Sequence, residues 1–402
     1  TMVKNLGSVV ANANGTYTVN YSIVVNNVGG TDGTYSLKDT PQFDNDITIN
    51  SGSFSGQASG AMNTSGSTTL ATNASIASGS THTYNVSFNV SLNLEPGSAD
   101  GGDNVYTACG VSGNGPGGQP GQGLYNKAEL DRNGDNITDV VDDACGDLPY
   151  VTMIKNLGSV TANANGSYTV TYQILVKNNG GATGSYSLKD TPQFDNDVTI
   201  NNGSYSGQAS GAMNTSGSTT LATNVSIGGG TTHTYNLSFN VNLNLEPGSA
   251  DGGDNIYTPC GVIGNGPGSQ PGQGLYNKAE LDRNGDGITD ITDDACGDIP
   301  YLTMKKNFAG VFANSNGSFT INYQIIVNNL GGAAGTYTLK DSPAFDNDVT
   351  ILNGSFSGQA SGAMNTNGST TLATNASIAA GSSHTYNVSF NVNLNLEPGS
   401  AD

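Results

Sequence analysis

The feature that most limits the fold of this 402-residue chain is a long internal repeat. Asp131 recurs as Asp282 and Cys109 recurs as Cys260, an interval of 151 residues in both cases. This interval is too long for one unit of a solenoid and matches the size of a complete domain. The repeat therefore predicts three units in series, which we place at residues 1–149, 150–300 and 301–402.

Within each unit, apolar and polar residues alternate with the period of a β-strand. YTVNYSIVV and HTYNVSFNVSLNL both put their apolar side chains on one face. TMVKNL, TYSLKD, DITINSGSFSG and YNKAEL are further predicted strands, and turn-forming clusters such as NANG and NNVGG separate them. Six to eight short strands per unit predict an all-β chain of tandem immunoglobulin-like antiparallel β-sandwich domains. A Gly/Pro-rich insertion at residues 101–123 precedes the last predicted strand.

The charge balance narrows the possible partners. The formal net charge is −20, which argues against nucleic acid or an anionic membrane, because both need Lys/Arg patches. No apolar run approaches the ~20 residues needed to span a bilayer, so no membrane insertion is expected in this segment. The acidity favours cations as partners.

The repeat also resembles a known family. The segments GSYTVTYQILVKNNGGATGSYSLKDTPQF, GGGTTHTYNLSFNV and YNKAEL resemble DUF11-type immunoglobulin-like repeats of bacterial surface proteins. The resemblance covers most of each unit except the Gly/Pro insertion. It implies a secreted or cell-surface stalk, filament or adhesin, and it names no ligand.

An acidic segment near the end of each full unit has the spacing of an EF-hand-type calcium loop. Carboxylates, carboxamides and one carbonyl stand at alternating positions, and calcium prefers six to eight such oxygens. The predicted Ca²⁺ ligands are Asp131, Asn133, Asp135, Ile137 (through its carbonyl), Asp139 and Asp142, and in the second unit Asp282, Asn284, Asp286, Ile288, Asp290 and Asp293. Gly287 occupies the tight-turn position in the second copy and Asn136 in the first. The alternative is an acidic loop of Asx-turns without an ion.

This loop departs from an EF-hand in two ways. Its last position is Asp rather than Glu, and the preceding segment is predicted to be a strand, as in a calcium loop of the dockerin or thrombospondin type. Its affinity is expected to be weak, on the order of 0.1–1 mM. We expect the loop to lie between the last strand of one unit and the first strand of the next, where calcium would set the angle between domains.

Each full unit contains two cysteines. An even count per repeat in a chain interpreted as extracellular predicts the disulfides Cys109–Cys145 and Cys260–Cys296. Metal ligation is the alternative, but the spacing of the four cysteines is not that of a zinc site. Pairing within units would tie the Gly/Pro insertion to the end of the calcium loop.

Other polar residues admit more than one interpretation. Lys4 and Lys155 in the first strand, with Asn126 and Asn277 in YNKAEL, could form Lys–Asn isopeptide bonds assisted by Asp39 or Asp190, or could be plain surface residues.

The cluster Asp39, Asp44 and Asp46 is interpreted as a solvated turn, with a second ion site as the alternative. His82, His233 and His384 repeat one structural position at a strand end. No nucleophile–base pair is recognisable, so the chain is not expected to be an enzyme.

The third unit stops before a counterpart of LYNKAEL, which would leave a strand edge exposed. Either a longer chain continues, which we favour, or another subunit donates the strand. The sequence therefore predicts a structural subunit or stalk of an extracellular filament, with copies of itself or further repeats as partners. An adhesin that binds glycans or proteins through its loops is the alternative. Tyr106 and Tyr125 are its candidate stacking platforms.

Overall fold

The computed structural model shows a chain of antiparallel β-sandwiches. It describes residues 1–12, 14–94, 102–110, 113–114, 119–245, 253–261, 264–265, 270–283, 285 and 287–396. Among these residues every regular element is a β-strand. The fold class predicted from the alternating pattern is therefore confirmed.

The strands of the three units correspond one to one as far as each unit extends. The first unit contains β1 (Met2–Ala11), β2 (Tyr17–Asn26), β3 (Gly33–Pro41), β4 (Ile47–Gly56), β5 (Gly60–Ala61), β6 (Thr68–Ile76), β7 (Thr81–Leu92), β8 (Gly113–Asn114), β9 (Leu124–Asp131) and β10 (Val140–Gly146). The second contains β11 (Val151–Ala162), β12 (Tyr168–Asn178), β13 (Gly184–Pro192), β14 (Val198–Gly207), β15 (Gly211–Ala212), β16 (Thr219–Ile227), β17 (Thr232–Leu243), β18 (Gly264–Asn265), β19 (Leu275–Asp282) and β20 (Ile291–Gly297). The third contains β21 (Leu302–Ala313), β22 (Phe319–Asn329), β23 (Gly335–Asp341), β24 (Val349–Gly358), β25 (Gly362–Ala363), β26 (Thr370–Ile378) and β27 (Ser383–Leu394).

Each full unit consists of two five-stranded sheets. In the first unit the strand orders are β1-β2-β7-β4-β5 and β6-β3-β9-β10-β8, and the second unit repeats both orders. All pairings in these sheets are antiparallel. The third unit keeps the first sheet, but its described residues form only a two-stranded second sheet, β23-β26.

The core lies between the two sheets and follows the alternation seen in the sequence. On β2, Val19, Tyr21, Ile23 and Val25 are buried, while the residues between them are more exposed. On β7 the same holds for the face that includes Phe88. Burial of one face and hydration of the other is the arrangement that a period of two encodes.

The last strand of each unit was missed in the sequence. β10 follows β9 as the second strand of a hairpin, with Val140 paired to Leu130 and Asp142 paired to Ala128. The acidic loop therefore connects two strands of one sheet, rather than one unit to the next as expected. The segment VVDDACG resembles a loop because it contains two adjacent aspartates, but pairing with β9 makes it a strand.

The turn with Asp44 and Asp46 is buried, so its interpretation as a solvated turn was wrong. Asp46 accepts hydrogen bonds from Asn104 N (2.9 Å) and Val105 N (2.8 Å), and Asp44 accepts one from Thr107 N (2.9 Å). A carboxylate that accepts backbone N–H bonds can be buried at much lower cost than an isolated one. Both aspartates thereby hold residues 102–110 against the sandwich.

Within the described part of the chain, no helix is long and apolar enough to cross a membrane.

Candidate functional site

The predicted calcium loop forms the tip of the β9–β10 hairpin. Asp131 Oδ1 accepts hydrogen bonds from Asn133 N (3.1 Å) and Gly134 N (2.7 Å), while its Oδ2 accepts one from Asn136 N (2.9 Å). Asn136 adopts a positive φ of 65°, as Gly287 does with 83° in the second copy. Asn136 therefore adopts the same left-handed backbone conformation as the glycine at this position in the second copy.

The other carboxylates of this loop also accept backbone N–H groups. Asp135 Oδ1 accepts from Ile137 N at 2.8 Å, and Asp139 Oδ2 accepts from Arg132 N at 2.8 Å. Desolvation raises the pKa of Asp131, but its backbone hydrogen bonds outweigh that effect, and the net shift of the pKa is downward. The lowered pKa favours the ionised form of Asp131, which is the form that a cation requires.

The structure does not bring Asp142 and Asp293 to the loop. Asp142 lies on β10 and its Oδ2 accepts a hydrogen bond from Lys4 N of β1 at 2.7 Å. Asp293 makes the equivalent contact with Lys155 N at 2.6 Å. Both carboxylates connect the first and last strands of their units, so we leave them out of the ligand set.

In the second copy, Asp282 and Asp290 occupy the same positions as in the first. Asp282 accepts from Gly285 N (2.7 Å) and Gly287 N (2.9 Å), and Asp290 accepts from Arg283 N (2.7 Å). The predicted ligands Asn284 and Asp286 lie outside the described residues, and Ile288 is exposed. Within the described part of the chain, no three His, Cys, Asp or Glu side chains are grouped closely enough to hold a metal ion.

The loop of the second unit faces the first unit. A cleft of 270 Å³ between the two units is lined by Gly15 and Tyr17 on the side of the first unit and by Gly184 and Arg283 on the side of the second. Desolvation raises the pKa of Tyr17, and the charge of Arg283 partly opposes that shift. The loop therefore adjoins a junction between units, although it is not part of the connection itself.

The connection between the first two units is buried. Leu148 is fully buried, and its amide donates to Tyr106 Oη at 2.8 Å. Tyr106 donates to Asp147 Oδ1 at 3.1 Å. Tyr150 N donates to Asn178 Oδ1 at 3.0 Å. These contacts attach the connecting residues to both units.

The second junction repeats these contacts. Ile299 is fully buried and its amide donates to Tyr257 Oη at 3.2 Å. Tyr257 donates to Asp298 at 2.7 Å, and Tyr301 N donates to Asn329 Oδ1 at 3.2 Å. The junction was not predicted from the sequence, although the recurring N-x-G-G turn that receives the connecting residues, at residues 178–181 and 329–332, was visible as a turn signal.

The two predicted disulfides are present. Cys109 is bonded to Cys145, and Cys260 to Cys296, each across 36 residues. Each bond attaches the irregular segment to the last strand of the second sheet. Disulfides of this kind persist in an oxidising environment.

The other residues that the sequence analysis named make contacts within their own units. Tyr106 and Tyr125 are buried, with 6% and 5% of their surface exposed, so neither is a surface platform for a ring. His82 Nδ1 lies 2.8 Å from Tyr35 Oη, which also contacts Tyr84 Oη at 2.7 Å. Lys4, Asp39 and Asn126 meet in the core. Lys155 likewise contacts Asp190, and Asn277 is buried on the strand that pairs with that of Asp190.

Comparisons with known proteins identify no family. No protein-family model matches the chain, and no curated protein matches it. The resemblance to DUF11 repeats therefore stays a prediction.

Among solved structures, the exo-chitosanase CsxA of Amycolatopsis orientalis aligns with a TM-score of 0.19 and 9% identity, over 76% of this chain and 28% of the chitosanase. A biofilm associated protein (BSP domain) aligns with a TM-score of 0.18 and 9% identity, over 100% of this chain and 92% of that one. A triple jelly roll protein from an archaeal virus turret aligns with a TM-score of 0.12 and 11% identity, over 98% of this chain and 88% of that one. Likenesses this weak establish neither an enzymatic activity nor a partner.

Proposed function

We propose that the chain is a spacer in a secreted, stiff stalk or filament on a bacterial surface. The observation that carries this proposal is the repeated, buried junction between units. A freely jointed chain of domains needs exposed linkers with few contacts. Here Leu148 and Ile299 are fully buried in the cores of the units that they end, and two residues later Tyr150 N and Tyr301 N donate hydrogen bonds to the next unit. Repetition of one junction geometry produces a regular rod.

Several features support an extracellular location and a mechanical function. Each full unit carries a disulfide, which suits an oxidising compartment. The resemblance to DUF11-type repeats points to the same location. Because Tyr106, Tyr125 and their copies Tyr257 and Tyr276 are buried, the aromatic platforms that would favour a glycan-binding adhesin are not available at these positions.

Calcium is proposed as a stabiliser of the hairpin tips. The ligands in the first unit would be the side chains of Asp131, Asn133, Asp135 and Asp139 with the Ile137 carbonyl. These are hard oxygens at alternating positions, which suit Ca²⁺. In the second unit the same tip lies beside the junction, so an ion there would neutralise charge next to Tyr17 and Arg283. Calcium would then reinforce a junction that already has its own packing.

One methionine is exposed in the third unit but buried in the other two. Met304 is 61% exposed, whereas its counterparts Met2 and Met153 are each 6% exposed. We propose that this face is covered by a pair of strands like β9 and β10, from a further repeat or from another copy. A peptide of residues 124–146 should then bind the chain in calorimetry, and a monomeric chain that ignores the peptide would contradict the proposal.

Small-angle scattering and negative-stain imaging in calcium and then in chelator test the stalk. We expect an extended particle with the same length in calcium and in chelator, and a somewhat broader range of shapes in chelator. A broad distribution of shapes in calcium would overturn the stalk.

The ion is tested separately by calcium titration of the parent chain and of Asp135→Ala. The variant should lose one binding site of about 0.1–1 mM affinity. Asp32→Ala is the matched control, because Asp32 is an acidic residue in a different turn of the same unit. Equal binding by all three proteins would remove calcium from the proposal without affecting the stalk.

A further inference from the structure

Two sets of three polar side chains are buried inside the full units. Lys4, Asp39 and Asn126 each have no solvent-exposed surface, and neither do Lys155, Asp190 and Asn277. We call each set a Lys–Asp–Asn triad. Complete burial of a charged pair costs several kcal/mol for each ion, which its mutual attraction does not reliably recover. Such a cluster therefore calls for a specific explanation.

Three strands bring each triad together. In the first unit the lysine lies on β1 of one sheet, while the aspartate and asparagine lie on the neighbouring strands β3 and β9 of the other. The lysine thus bridges the two sheets. Asp39 Oδ2 contacts Lys4 Nζ, and Asp39 Oδ1 accepts a hydrogen bond from Asn126 Nδ2 at 3.0 Å. One carboxyl group therefore contacts both the amine and the carboxamide.

The carboxamide oxygens of the two asparagines lack hydrogen-bond partners. Among the described residues, Asn126 Oδ1 and Asn277 Oδ1 are buried without a hydrogen-bond partner. A buried polar atom without a partner costs about 1–3 kcal/mol. The unfilled position is the one that a protonated carboxyl or an oxyanion-stabilising group occupies when an amide carbonyl is attacked.

Burial disfavours the charged form of the lysine in both triads. Desolvation lowers the pKa of Lys4 and Lys155, and desolvation raises the pKa of Asp190. The lysines lie over the rings of Tyr21 and Tyr172, 5.2 Å and 5.1 Å from the centroids. A neutral amine is a nucleophile, and in the second unit burial also favours the protonated form of Asp190, which is an acid.

We propose that each triad forms an intramolecular isopeptide bond, between Lys4 and Asn126 in the first unit and between Lys155 and Asn277 in the second. The lysine Nζ attacks the asparagine Cγ, the Nζ–Cγ bond forms and the Cγ–Nδ2 bond breaks. The aspartate carboxyl, which in the first unit contacts Nζ through one oxygen and Nδ2 through the other, passes one proton from Nζ to Nδ2, which leaves as ammonia. Atoms and charge balance without an oxidant, reductant or cofactor.

The bond would connect the two sheets of a unit covalently. It joins β1 to β9, and the disulfide Cys109–Cys145 then joins the irregular segment to β10. Most of the chain between the first and last strands is thereby protected from extension under a pulling force. The bond does not depend on the stalk proposal, because its formation is measured by mass and not by particle shape.

Mass spectrometry of the reduced, denatured 402-residue chain tests the proposal. We expect a mass lower than the sequence mass by two ammonia molecules. Trypsin should fail to cleave after Lys4 and Lys155 and should yield two branched peptides. The chain contains an internal control, since Lys306 also contacts an aspartate, Asp341, but residue 402 is reached before any counterpart of Asn126. All three lysines precede an asparagine, so cleavage after Lys306 should proceed normally.

Variants locate each bond. Asn126→Ala and Asp39→Ala should each prevent the bond of the first unit, so that the chain loses one ammonia instead of two and trypsin cleaves normally after Lys4. The bond of the second unit should still form, and it serves as a folding control. Lys127→Ala, at a partly exposed lysine beside Asn126, should keep both bonds. If a variant fails to fold, the peptide map of the parent chain still decides.

Three results would overturn the proposal. The first is an unmodified mass. The second is a loss of water, which would indicate a Lys–Asp amide. The third is a loss of ammonia confined to Asn–Gly peptides such as Asn133–Gly134, which would indicate succinimide formation. A positive result with flexible particles in scattering would leave the bond standing and remove the stalk.

Discussion

Asp46 lies in a turn rich in aspartate and asparagine, yet its side chain is completely buried. Its hydrogen-bond donors, Asn104 N and Val105 N, come from a segment almost 60 residues later in the chain. Local sequence favours a turn at this position, but it does not show which distant backbone groups will satisfy a carboxylate. The two cysteine pairs were predictable because each unit contains only two.

Replacement of Asp46 should release the irregular segment. Asp46→Ala removes two charge-assisted hydrogen bonds, which we expect to lower the local stability of residues 102–110 by about 2–4 kcal/mol. Hydrogen exchange followed by mass spectrometry should show faster exchange in this segment. Asp348→Ala is the matched control, because Asp348 is the repeat counterpart in the third unit and is not fully buried. Unchanged exchange in Asp46→Ala would show that other contacts hold the segment.

At the scale of strands, the alternating pattern predicted β2 and β7 well, because both cross the centre of the first sheet and bury one face. It failed for β10, whose exposed and buried positions do not alternate regularly. That strand is stabilised by pairing with β9, by the disulfide at Cys145 and by the contact of Asp142 with Lys4 N. The disulfide and the contact with Lys4 join residues that are distant in sequence, so no local pattern reveals them.

Loss of one disulfide should weaken one unit. The double variant Cys109→Ser, Cys145→Ser removes a bond between two residues that are 36 apart in sequence. We expect the stability of β10 to fall by about 2–4 kcal/mol. Hydrogen exchange at β10 and β20 can be compared in the same sample, since the second unit keeps its disulfide. Equal protection of both strands would mean that packing alone fixes β10.

At the scale of the whole molecule, the sequence predicted three units in series but not how they meet. The repeat interval identifies the units, whereas the junction arises where the connecting residues pack against the turn at residues 178–181. Among the described residues, the same turn in the first unit has no connecting backbone packed against its first glycine, Gly29. A comparison of the two turns therefore shows which features of the turn the junction requires.

Gly180 contacts the connecting residues so closely that a side chain does not fit. A Cβ at this position would lie 2.1 Å from Leu148 O and 2.6 Å from Tyr150 N, and both are backbone atoms. At the repeat counterpart Gly29, a Cβ would meet only the Asn27 side chain, at 3.2 Å. Gly180→Ala should therefore displace the junction, while Gly29→Ala should leave it unchanged.

Scattering should separate these two variants. We expect Gly180→Ala to change the maximum dimension of the particle and to speed hydrogen exchange at residues 148–151, because the connecting residues lose their packing. Gly29→Ala should match the parent chain in both measurements. If Gly180→Ala also matched the parent, the close contact would not determine how the units are oriented. The stiffness proposed for the stalk would then have to come from the hairpin loop beside the junction, and chelation of calcium would become the decisive experiment.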